Sequence, residues 1–143
     1  MARFKFRRTT ESTRLGTLRL VVAGVFLLAG LSKLLVPAVI IALQDLLRSA
    51  EISYYDYLKF IVPIVETVMG FFLLTGKFTR FFSAMFILYM FAAIFVLLQV
   101  TDPALFPLQA FMPIVPVVMI VLLSVLVVKG AGTWSKDLDI FEK

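Results

Sequence analysis

The 143-residue chain is 62% hydrophobic and 16% charged, with a formal net charge of +5 and a mean hydropathy of +1.03. Soluble domains run nearer half apolar and about a quarter charged, so this is the composition of an integral membrane protein, expected as one membrane domain without a soluble appendage. The chain has no cysteine and no histidine, which excludes disulfides, thiol redox chemistry, iron–sulfur ligation, histidine-ligated haem and the common zinc sites. No metal is expected, and any electron transfer needs a bound organic cofactor or a partner protein.

The first fourteen residues are polar and basic, with Arg3, Lys5, Arg7 and Arg8. They read as a topology signal held near anionic headgroups, and not as a nucleic-acid contact. The first span is predicted over residues 15–36, long enough to cross about 30 Å of hydrocarbon and retained, with no convincing cleavage pattern after it. Within it Gly16, Ala23 and Gly30 recur every seven residues, with Gly24 alongside. Small residues so placed allow close helix approach. Arg19 and Lys33 lie fourteen apart on the flank of that seam. Each either snorkels to an interface or turns inward to meet an acid.

Pro37 stops this helix or begins the next. Residues 38–48, AVIIALQDLLR, are too short and too polar to span and read as an interfacial helix. The polar link that follows ends in Tyr54, Tyr55 and Tyr57, aromatics suited to the membrane boundary.

The second span is predicted over residues 58–75. Lys59, Pro63, Glu66, Gly70 and Leu73 share one of its faces, with Pro63 placed in the first turns. Glu66 lies about 12 Å below the nearer end of the helix. An acid at that depth is a functional-site candidate by default. Lipid tolerates it protonated or answered by a cation, and Lys33 and Arg19 approach its level from opposite ends. Gly76 closes the span, Thr79 is placed to cap the next helix, and the short turn makes spans two and three an antiparallel hairpin.

The third span, residues 81–100, carries Tyr89, Ala92, Ala93 and Val96 on one face, and Tyr89 is a further polar partner for Glu66. The fourth, residues 107–128, begins among Pro103, Pro107, Pro113 and Pro116. It is expected either to be kinked there, with freed backbone carbonyls, or to start late after an interfacial loop. Basic residues collect at the N-terminus, the Lys77/Arg80 turn and the Lys129/Lys136 end, whereas the 37–57 and 101–106 connections are mainly acidic. Four spans with both termini cytoplasmic satisfy the positive-inside rule at each loop. The expected fold is therefore an all-α membrane four-helix bundle with a short interfacial helix between spans one and two.

Three segments, AGLSK (Ala29 to Lys33), PIVETVMGFFLLTGKFTR (Pro63 to Arg80) and KGAGTWSKD (Lys129 to Asp137), resemble in order and spacing the DoxX/DoxD family of small four-span prokaryotic membrane proteins. The resemblance implies a place in the prokaryotic cytoplasmic (inner) membrane. It also implies that Lys33, Glu66 and a C-terminal motif of Gly130, Gly132, Ser135 and Asp137 are family positions. Some members of the family are described as membrane subunits of thiosulfate:quinone oxidoreductases, others as membrane partners in oxidative-stress complexes. No sulfur-handling residue is present, so the thiosulfate activity finds no support in these residues. Trp134, the one tryptophan, reads as an interfacial anchor.

No phosphate loop, metal-ligand spacing or nucleophile–base arrangement occurs, so the chain reads as a non-catalytic membrane subunit. The leading expectation is an accessory or quinone-interacting subunit of a membrane redox complex, with the bilayer and other subunits, or further copies of the chain, as partners. A small proton-coupled transporter and a purely structural or assembly subunit are the alternatives. The candidate cluster is Glu66, Lys33, Arg19 and Tyr89, and the helix-packing positions are Gly16, Ala23, Gly30 and Gly70.

Overall fold

The computed structural model describes residues 12–100 and 113–137, and everything regular in them is α-helix. The elements are α1 (Thr13–Leu35), α2 (Pro37–Ser49), α3 (Tyr55–Thr75), α4 (Thr79–Gln99) and α5 (Ile114–Lys129). Helices α1, α3 and α4, of 23, 21 and 21 residues, are long and apolar enough to cross a bilayer. Helix α5 is a shorter apolar fourth, 16 residues or about 24 Å. Between the first two membrane helices lies α2, the short interfacial helix.

Each boundary has a local cause. Val36 leaves α1 in an extended conformation, and Pro37 then occupies the first turn of α2, where its missing N–H is no loss. Gly76, at φ +67°, ends α3 in a Schellman turn. Its N–H bonds the Leu73 carbonyl and the Lys77 N–H bonds the Phe72 carbonyl. Because α3 begins at Tyr55, Pro63 lies about two turns inside it, deeper than the expected first turns. The Thr67 hydroxyl bonds the Pro63 carbonyl at 2.8 Å. Prolines 113 and 116 sit at the N-cap and in the first turn of α5, where neither breaks a helix. Pro103 and Pro107, the carbonyls of Gln109 and Met112, and the basic segment at residues 3–8 all lie outside the described residues.

Packing divides the bundle into two pairs. Helix α1 lies closely along α3, and α4 along α5, while contact between α3 and α4 and between α1 and α5 is sparse. The close pair is made by glycine: a Cβ on Gly30 would stand 2.9 Å from the Thr67 nitrogen and 3.0 Å from the Pro63 oxygen, and one on Gly70 would press on Leu27. Ala23 is fully buried on the same side, whereas Gly24 faces open space and takes no part in the seam. Bulk fills the space between the pairs. Val22, Phe26, Met69, Leu73, Phe86, Met119 and Leu123 belong to one core cluster, with the Phe26 and Phe86 rings stacked at 3.7 Å. Leu28, Phe71, Leu88, Phe95 and Val121 point outward, as lipid-facing residues do. The protein is thus a multi-pass membrane protein whose surroundings are the bilayer.

Candidate functional site

The α1–α3 register fixes which cation reaches Glu66. Gly30 lies against Thr67 and Gly70 against Leu27, so in an antiparallel pair Lys33 falls level with about Ile64, roughly half a turn from the acid. Its Nζ donates to both carboxylate oxygens of Glu66, at 2.7 Å to Oε1 and 2.6 Å to Oε2. Glu66 is buried at 4% exposure, while the Lys33 side chain retains 21%. The Lys33 side chain thus lies nearer the surface of the bundle than the carboxylate it meets.

Tyr89 arrives from the other pair. Glu66 stands ten residues before Gly76 and Tyr89 ten after Thr79, so both lie about 15 Å from the turn joining α3 to α4. At that shared level the Tyr89 hydroxyl donates a short hydrogen bond to Glu66 Oε1. The Tyr89 ring also meets Phe86 edge-on at 6.3 Å between centroids. One carboxylate therefore accepts an ammonium on both oxygens and a phenol on one, inside an apolar bundle. Such charge-assisted bonds strengthen where water is scarce.

Arg19 does not join this cluster. Fourteen residues from Lys33, it sits at the opposite end of α1, fully buried, and its Nη2 donates to the Trp134 carbonyl at 2.8 Å. Nε and Nη1 have no hydrogen-bond partner among the described residues, and Nη1 packs so tightly on Gly76 that a Cβ there would collide with it. The nearby acid is Asp137.

That end of the bundle is closed by the segment after α5. Gly130 caps α5 through its N–H to the Leu126 carbonyl, and Gly132 lies against the backbone of Gly16. The Ser135 hydroxyl donates to the Gly132 carbonyl at 3.0 Å. Asp137 then spans back to the hairpin: its Oδ1 accepts the Phe78 N–H at 2.7 Å, its Oδ2 accepts the Thr79 N–H at 2.9 Å, and its own N–H bonds the Gly76 carbonyl. Thr79 was expected to cap α4 itself. Instead the helix starts one residue earlier than that cap requires, with Phe78 at its N-cap in a left-handed conformation, and Asp137 supplies the acceptors. Trp134 stands out from the clasp at 66% exposure.

A second polar group links α2 to α3. Gln44 Nε2 donates to Asp56 Oδ1 at 3.2 Å, and Lys59 Nζ donates to Gln44 Oε1 at 3.0 Å. No three acidic side chains among the described residues converge as metal ligands.

The profile of the DoxX family matches residues 15–99, more than half of the chain. The protein belongs to the DoxX family. The matched stretch contains Lys33, Glu66 and Tyr89, so the whole intramembrane cluster lies within the family region. Helix α5 and the Gly130–Asp137 clasp lie beyond it. Among curated proteins and among solved structures the comparison gives no significant match to this DoxX-family chain.

Proposed function

We propose that this DoxX-family protein holds the polar head of a quinone-class molecule at Lys33, Glu66 and Tyr89 and serves as an accessory subunit of a membrane redox complex. In this reading it lies in the prokaryotic cytoplasmic membrane, crosses it four times and keeps the clasp end and both termini on the cytoplasmic side. The basic residues Lys77, Lys129 and Lys136 support that orientation, since all three lie toward the clasp.

The observation that carries the proposal is the three-residue cluster itself. A lipid-dissolved ligand with a hydrogen-bonding head needs an apolar slot and a few convergent polar groups. Here the convergent polar groups stand midway along α3 and α4 in an apolar bundle, with Lys33 the more exposed of the ion pair. The test is equilibrium binding of a short-chain benzoquinone to the protein in lipid nanodiscs. Lys33→Met is expected to weaken benzoquinone binding by about tenfold or more, the loss of one charge-assisted hydrogen bond, and Glu66→Gln to weaken binding of the corresponding hydroquinone similarly. Unchanged affinity in both variants contradicts the proposal.

One observation favours a second reading, an assembly subunit without a ligand: the three side chains satisfy one another. Stoichiometric co-purification of partner subunits from native membranes, with no quinone bound, selects it. A proline-broken fourth helix would favour a transporter, but Pro113 and Pro116 only start the described part of α5.

A further inference from the structure

The cluster straddles a seam. Lys33 and Glu66 belong to the close α1–α3 pair, Tyr89 to the α4–α5 pair. The Gly76–Phe78 turn forces α3 and α4 together at one end, where the Phe72 and Phe82 rings stack at 4.5 Å and Asp137 pins the turn. Contact between α3 and α4 is nevertheless sparse. The Tyr89–Glu66 bond crosses the seam about 15 Å above the turn.

The bond also defines the chemistry of that position. Glu66 Oε1 already accepts a phenolic O–H, and a carboxylate offers only acceptors. A ligand that takes the place of Tyr89 must therefore donate. The two oxidation states of a quinone differ in this respect: the oxidised head has carbonyl acceptors, while the reduced head is a pair of phenolic hydroxyls. The geometry points to Tyr89 as an internal stand-in for the ligand: the phenol closes the site when it is empty, and the hydroquinone form displaces it at Glu66 by entering laterally along the seam. This rests on the quinone-class reading and adds to it both a preferred oxidation state and a gate. The oxidised head has only Lys33 to donate to it while Tyr89 remains engaged.

Two measurements test this independently. In the first, a short-chain benzoquinone and its hydroquinone are bound anaerobically to the wild-type protein and to Tyr89→Phe in nanodiscs. Removing the competing phenol is expected to tighten hydroquinone binding by about tenfold and to leave quinone binding within about twofold. Equal effects on both forms, or none on the hydroquinone, overturn the gate. In the second, Tyr89→Ala is heated with p-cresol or with toluene. The cresol, which carries the lost hydroxyl, is expected to raise the unfolding temperature well above the effect of toluene. Equal effects of the two overturn the donor requirement. If neither quinone form binds either protein while cresol still rescues, the quinone-class reading fails and the phenol-donor site stands.

Discussion

At the residue scale, the molecule turns on how an acid is kept in the membrane. Glu66 accepts Lys33 on both oxygens and Tyr89 on one, and at 4% exposure it is sheltered from lipid and water alike. Removing one partner of a buried pair in a soluble protein costs about 3–5 kcal/mol. In a bilayer polar interactions are worth less, on the order of 1 kcal/mol, because the unfolded state also finds partners. Lys33→Met is therefore expected to lower stability by about 2 kcal/mol. In Lys33→Met/Glu66→Gln the neutral amide keeps the Tyr89 bond and recovers at least half of the loss. Detergent unfolding of the two single variants and the double variant measures the coupling directly, and strictly additive losses contradict the pairing. Glu66 was legible in the sequence because an acid in an apolar run stands out. Its partner was not. Arg19 and Lys33 share one side of α1, and only the α1–α3 register, set by Gly30 and Gly70, decides between them.

At the scale of elements, small residues decide which helices approach. The seven-residue recurrence of Gly16, Ala23 and Gly30 was visible, yet its members serve different neighbours. Gly30 meets α3, whereas Gly16 meets Thr133 and Trp134 of the clasp, and Gly24 meets nothing within 4 Å. Gly30→Ala therefore forces a shift of backbone and is expected to destabilise by about 2 kcal/mol, while Gly24→Ala stays within about 0.5 kcal/mol. Thermal unfolding of the pair separates seam from surface, and equal losses overturn the assignment. The cap of α4 shows why local rules fall short. Thr79 fits a cap by residue type, but the acceptors come from Asp137, 58 residues away. A helix start served from the far end of the chain leaves no local trace. The same holds for the Gln44–Asp56–Lys59 group, whose members were read on separate elements.

At the scale of the whole molecule, two helix pairs are tied by the clasp at one end and joined by a hydrogen bond near the middle. Composition alone announced membrane helices, since an all-round apolar segment such as α4 has no alternative home. The division into pairs was not legible, because apolar faces look alike until glycines or stacked rings set their spacing. The topology is open to direct test because the chain has no cysteine. Glu51→Cys is expected to react with an impermeant maleimide from outside intact cells, and Lys77→Cys and Lys136→Cys only after permeabilisation. Labelling of Lys77→Cys in intact cells contradicts the orientation. Labelling of Lys77→Cys and Lys136→Cys from opposite sides contradicts the crossing of α4 and α5 as a pair.

The site itself is tested most directly by a photoreactive benzoquinone, cross-linked to the protein in nanodiscs and mapped by peptide mass spectrometry. The account predicts adducts on the α3 and α4 segments around Glu66 and Tyr89, competed by unlabelled quinone and lost in Lys33→Met. Adducts confined to the lipid-facing surface, or undiminished in that variant, would contradict it.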